Sequence, residues 1–120
     1  MGAVSAVRVV VADDHPIWLS GIRVDLGENF VVVATAADAR EAGEAGGQQQ
    51  PDLVLADVNM PEGGGRRVAE ECGELAPVVI LTVSEAERDV LDAVAAGATG
   101  CLLKSASGEA LRSALWRAAK

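Results

Sequence analysis

Four short apolar runs punctuate the chain, and each ends in a polar residue. Val7 to Ala12 ends in Asp13-Asp14, Leu53 to Ala56 in Asp57, Val78 to Leu81 in Thr82, and Cys101 to Leu103 in Lys104. The runs are dense in valine, leucine and isoleucine and do not alternate with polar residues. Strands of a parallel sheet read this way, because both of their faces are covered. A fifth segment, Val31 to Thr35, also fits a strand. Helical stretches separate the runs. The first is expected over Pro16 to Leu26, with a proline suited to an opening turn and Gly27 just past the end. Others are expected over Ala39 to Gly46, Arg66 to Leu75 and Glu85 to Ala96. A last helix, capped by Ser107, runs to the end of the chain.

Five alternating strand–helix units admit few topologies, because parallel crossovers need a helix and are right-handed. The simplest solution is an α/β, flavodoxin-like (CheY-like), doubly wound five-stranded parallel sheet in order 2-1-3-4-5. Helices 1 and 5 then lie on one face, and helices 2, 3 and 4 on the other. Ligands bind such sheets beyond the carboxyl ends of the strands. Asp13, Asp14, Asp57, Thr82 and Lys104 would all meet there.

Composition narrows the picture. The 120 residues suit one domain, expected over residues 7–120 after a flexible lead-in at 1–6. Half of them are apolar, enough for a core without disulfides. Trp18, Trp116 and Phe30 are the only aromatics, so aliphatic residues must build that core. The two tryptophans fall on helices expected to share one sheet face. The formal charge of −8 repels phosphate backbones, which argues against direct nucleic-acid contact by this domain. Cys72 and Cys101 lack zinc or redox spacing and read as reduced thiols. Neither a signal sequence nor a membrane-spanning run is visible, so a cytoplasmic location is expected.

Judged singly, the polar residues are ambiguous. An acidic pair before a helix also serves as a solvated turn that favours the helix dipole. An Asp, a Thr or a Lys at a strand end is common without function. The combination is more specific. Two carboxylates about 4 Å apart repel by ~4 kcal/mol at an effective dielectric near 20, and Asp57 would add to that repulsion. A hard cation with oxygen ligands removes it, and Mg²⁺ suits a site of few carboxylates plus a phosphoryl oxygen. A carboxylate beside such a cation can attack phosphorus and form an acyl phosphate. His15 reads as an exposed helix-start residue rather than a ligand.

The stretches "VVVADDHPIWLSGI", "PDLVLADVNMPEGGG", "VVILTVSE" and "AGATGCLLKSAS" resemble the receiver domain of two-component response regulators, over essentially the whole chain. They are most similar to the NarL/FixJ type, whose members carry a LuxR-type helix-turn-helix domain after the receiver. No such DNA-binding domain lies in this chain. The resemblance implies Asp57 as phosphoacceptor, with a sensor histidine kinase as phosphodonor. It implies Asp13, Asp14, Asp57 and the Asn59 main-chain carbonyl as ligands of Mg²⁺, with Mn²⁺ as an alternative. Thr82 becomes the switch hydroxyl and Lys104 the phosphoryl-pairing lysine. Asn59, Val83 and Ser84 line the path of the hydrolytic water. Phosphorylation would alter the α4-β5-α5 or α1-α5 surface, promote a homodimer and control transcription through the other domain.

The chain departs from the family in three places. Cys101 stands where an aromatic usually follows the switch hydroxyl. Ser105 follows Lys104, where many receivers have proline. Glu62-Gly63-Gly64-Gly65 is rich in glycine, which predicts a looser loop. Rival readings are a stand-alone receiver acting by protein contact and a phosphatase of haloacid-dehalogenase type. The latter places its acids as D-x-D on the first strand, whereas Asp13 and Asp14 are adjacent. A flavin or nucleotide module ranks last, since no glycine-rich phosphate loop follows strand 1.

Overall fold

The computed structural model describes residues 6–83 and 88–119. The lead-in at residues 1–5, the expected start of helix 4 at Glu85, and Ser84 lie outside the described residues. Strands β1 (Val7–Ala12), β2 (Phe30–Ala36), β3 (Leu53–Asp57), β4 (Val78–Thr82) and β5 (Gly100–Leu103) form one parallel sheet in order β2-β1-β3-β4-β5. The helices are α1 (Pro16–Leu26), α2 (Ala39–Gln49), α3 (Gly64–Cys72), α4 (Arg88–Ala95) and α5 (Gly108–Ala119). The five-stranded doubly wound arrangement is the expected one.

Successive strand residues face opposite sides, and the core divides accordingly. Val10, Ala12, Val54, Ala56, Val78 and Ile80 pack with α2, α3 and α4. Val9, Val11, Leu53, Leu55, Val79 and Leu81 pack with α1 and α5. The central strands β3 and β4 are buried at every position, which is why their sequences show no alternation. At roughly 1.5–3 kcal/mol for each fully buried large aliphatic side chain, these two layers dominate the fold's stability.

Local chemistry sets the helix ends. Asp38 caps α2 by accepting from the Glu41 N–H at 2.8 Å, and the Glu41 carboxylate accepts from the Ala37 N–H at 2.8 Å. This reciprocal pair satisfies two donors that would otherwise lack partners. Helix α2 runs past Gly46, its expected end, to Gln49. It stops where Gln50 turns left-handed, with φ 45° and its N–H donating to the Gly46 carbonyl. Ser107 caps α5 as expected, accepting from the Ala110 N–H at 3.1 Å.

The glycine run after Pro61 is not a loose loop. Residues Pro61–Gly63 form a 3-10 turn, and α3 begins at Gly64, two residues before the expected start. Gly64 and Gly65 are both buried, and the Gly65 N–H donates to the Val58 carbonyl at 3.0 Å. A Cβ on Gly64 would lie 2.5 Å from that same carbonyl oxygen. Close approach of α3 to the end of β3 therefore requires glycine here.

Two glycines provide opposite tests. Gly64→Ala, with φ +62° and no room, should destabilise by about 1–3 kcal/mol. Gly21→Ala, mid-helix with nothing within 4 Å, should stabilise by up to about 1 kcal/mol. Urea unfolding measures both, and a neutral Gly64→Ala would refute the close-packing account.

Candidate functional site

Strand register delivers the polar residues to one edge. Ala12 pairs with Ala56, Asp57 with Leu81 and Thr82 with Leu103. Asp13, Asp57, Thr82 and Lys104 consequently leave adjacent strands at nearly one level. Backbone bonds continue the ladder beyond the strands. The Val58 N–H donates to the Leu81 carbonyl and the Lys104 N–H to the Thr82 carbonyl, both at 2.8 Å.

Asp13, Asp57 and Thr82 are the buried polar side chains among the described residues. Lys104 reaches over them. Its Nζ stands 2.7 Å from Asp13 Oδ2 and 3.4 Å from Asp57 Oδ2. Asp13 Oδ2 nonetheless has no hydrogen-bond partner among the described residues. The ammonium is close enough for an ion pair but is not aligned as a donor to that oxygen. Asp57 Oδ1 accepts a long bond, 3.4 Å, from the Asn59 N–H.

His15 joins the acids, which its reading as a plain helix-start residue missed. It does stand at the N-cap position before α1, and its side chain is 64% exposed. Yet its Nδ1 lies 2.6 Å from Asp13 Oδ1, 3.2 Å from Asp14 Oδ1 and 3.8 Å from Asp57 Oδ2. Its main-chain N–H also donates to Asp13 Oδ1 at 2.9 Å. Ligand atoms of Asp13, Asp14, His15 and Asp57 all fall within 4.8 Å of one another. The only sequence cue is that His15 directly follows the acid pair.

Burial raises the Asp57 pKa above its ordinary 3.8, and the Asp13 carboxylate raises it further. Lys104 and the Asn59 N–H act in the opposite direction without cancelling the rise. Asp13 and Asp57 thus share the Lys104 ammonium, Asp14 stands beside them against the His15 ring, and Asp13 Oδ2 has no aligned donor among the described residues. That donor set fits a hard divalent cation, which prefers oxygen ligands and neutralises the repulsion.

A cleft of about 540 Å³ opens beside these acids, lined in part by Asp14, Asn59, Met60, Gly64, Arg66 and Asp92. Val83 is exposed at the end of β4. Cys101 is half-buried on β5, pairs with Ile80 and packs toward the α2–α3–α4 layer. Both thiols are free. Trp116 sets its ring edge-on to Phe30, with centroids 6.2 Å apart. Trp18 instead lies beneath Lys104, whose Nζ is 5.2 Å from the indole centroid.

The response regulator receiver domain family matches residues 9–116. The chain belongs to that family. It is 36% identical over 118 residues to the nitrate/nitrite response regulator protein NarP of Escherichia coli, covering 94% of this chain and 55% of NarP. A nitrate/nitrite response regulator homolog from Haemophilus influenzae is 34% identical over 119 residues, with 95% and 57% covered. This receiver therefore spans little more than half the length of the curated relatives it matches. The signal receiver domain of the NarL response regulator from Mycobacterium tuberculosis superposes with a TM-score of 0.90 at 30% identity, covering 97% of this chain and 98% of that one. The chain is thus a receiver domain of the NarL/NarP type, a signalling module with the expected fold. Receiver domains bind Mg²⁺ at an acidic pocket, and this one gathers its aspartates in the same way. Among the described residues, no helix is long and apolar enough to cross a membrane.

The raised Asp57 pKa has a stability consequence with a definite sign. Below pH 3.8 the carboxyl is protonated in both the folded and unfolded chain, and the site carries no penalty from it. As pH climbs through the higher folded value, ionisation increasingly favours the unfolded chain. In metal-free buffer Asp57→Asn should therefore melt a few degrees higher than the unmodified receiver at pH 7. That gap should shrink steadily toward pH 4 in calorimetric melts. A gap that widens on acidification contradicts the burial account.

Proposed function

We propose that this receiver accepts a phosphoryl group on Asp57 from the phosphohistidine of a sensor histidine kinase. The observation that carries the reading is the Asp13–Lys104–Asp57 arrangement: a buried carboxylate, raised in pKa by burial and an acidic neighbour, within reach of one ammonium. Asp13, Asp14, Asp57 and the Asn59 carbonyl would hold Mg²⁺, with Mn²⁺ as a substitute. When bound, the metal offsets carboxylate repulsion and the negative charge of the incoming oxygens.

The chain's own residues do the rest. A carboxylate oxygen of Asp57 forms the new P–O bond as the P–N bond of the donor histidine breaks. Lys104 pairs with a phosphoryl oxygen in place of its contact with Asp57. Thr82, buried at the end of β4, donates its hydroxyl to another. The product carries up to about two additional charges, and its preference for one arrangement of Thr82 and Lys104 tilts an existing conformational equilibrium. That shift is transmitted to the α4-β5-α5 or α1-α5 surface and promotes a homodimer. Cys101, smaller than an aromatic, cannot couple to Thr82 by ring rotation. Transmission here runs through the backbone of β4 and β5, which Lys104 and Thr82 already share. Hydrolysis of the acyl phosphate returns the receiver to rest, tuned by Asn59 at the cleft, by Val83 exposed after β4, and by Ser84.

Nitrate/nitrite regulation belongs to the named relatives. For this receiver the output is transcription control through a DNA-binding domain outside the chain. The acidic composition keeps the receiver itself off nucleic acid.

Incubation with Mg²⁺ and acetyl phosphate, followed by intact mass spectrometry, tests the central step. The protein should gain the mass of one phosphoryl group, and neither Asp57→Ala nor a Mg²⁺-free sample should gain it. An adduct that persists in Asp57→Ala would place the chemistry elsewhere.

A further inference from the structure

Trp18 is not among the residues that the receiver reading assigns to phosphoryl chemistry, yet its indole is placed against one of them. Lys104 Nζ is 5.2 Å from the ring centroid of Trp18 and also contacts Asp13 and Asp57. The lysine side chain is only 15% exposed. Its ammonium thus meets both a π face contributed by α1 and the carboxylates that end β1 and β3. Of the chain's other aromatics, Phe30 and Trp116 pack against each other, and β5 offers Cys101 rather than a ring. Among the described residues, Trp18 is the ring that lies against the Lys104 ammonium, while the His15 imidazole faces the carboxylates.

We infer that Trp18 is a positioning residue for Lys104, holding the ammonium at the phosphoryl site by a cation–π contact. The physical need is clear. Lysine carries its charge on a flexible four-carbon stem with large rotamer entropy. Its partners at rest, Asp13 and Asp57, are the groups whose electrostatics change when metal and phosphoryl arrive. An indole face does not change charge through that sequence. It keeps Nζ attracted and partly desolvated while the lysine exchanges a carboxylate oxygen for a phosphoryl oxygen. A ring face also tolerates a small lateral movement of the cation, which a single directed hydrogen bond does not. Trp18 is itself only half-buried, packing its apolar body on the α1–α5 layer.

This inference rests on the proposed phosphoacceptor role, and two measurements separate the two. The first needs no phosphodonor. In proton–carbon NMR of selectively labelled lysine, the Lys104 ε-methylene should be displaced upfield by the indole ring current. It should return to the ordinary lysine position in Trp18→Leu. An undisplaced signal in the unmodified protein overturns the contact, whatever the chemistry. The second compares phosphorylation rates with Mg²⁺ and phosphoramidate for Trp18, Trp18→Phe and Trp18→Leu, each with Lys104 and with Lys104→Ala. Trp18→Leu should slow the reaction by roughly 2- to 30-fold, the span from an exposed to a desolvated cation–π contact. Trp18→Phe should recover most of the loss. In the Lys104→Ala background, leucine and tryptophan should give equal rates. Equal slowing in both backgrounds would show that Trp18 acts by packing alone and would defeat the proposal. If the unmodified protein takes up no phosphoryl group, the receiver chemistry fails while the NMR result still decides the contact.

Discussion

Electrostatic crowding at the carboxyl edge of the sheet is the constraint from which the rest follows. Asp13 and Asp57 are buried, Asp14 stands beside them, and Lys104 is the ammonium reaching into the group. A single cation cannot satisfy three carboxylates. Burial adds to the difficulty by disfavouring the ionised form of Asp57. The folded chain therefore keeps like charges together at a cost to the ionised form of Asp57, which hydrophobic packing in two layers is strong enough to maintain. In the proposed function, a site arranged in this way responds to added positive charge or to a change at Asp57. Signalling requires that sensitivity.

The architecture serves this arrangement. Parallel register aligns the ends of β1, β3, β4 and β5, so residues distant in sequence leave the sheet side by side. Thr82 and Lys104 are linked through the backbone bond from the Lys104 N–H to the Thr82 carbonyl. A displacement of either side chain thus has a short mechanical route into both strands. On the opposite flank, buried glycines at 64 and 65 let α3 approach the backbone just after Asp57. The cleft beside Asp14 and Asn59 stays open while its floor is tightly packed.

Much of this was legible in the sequence. Apolar runs without alternation could only be strands covered on both faces, and their polar endings marked the edge where a ligand would bind. Sheet order and the distribution of helices followed from crossover rules. Other features depend on geometry that residue order does not encode. Gly46-Gly47 looks like a helix stop, but α2 continues because a left-handed Gln50 closes it further on. Glycine after Pro61 suggests looseness, whereas the structure uses it for contact. His15 and Trp18 were visible as residues, but the directions of their side chains were not. Each turns toward the charge cluster because the site presents an attraction that local sequence does not reveal.

Relief of the crowding by a divalent cation is tested most directly by a metal titration followed by thermal melting at neutral pH. The melting temperature should rise with MgCl₂ along a saturable curve, since a ligand that binds only the folded chain stabilises it by mass action. With Asp13→Asn the curve should flatten. A receiver whose melting point ignores Mg²⁺, or rises equally with and without the Asp13 carboxylate, would contradict the claim that these acids form a cation site.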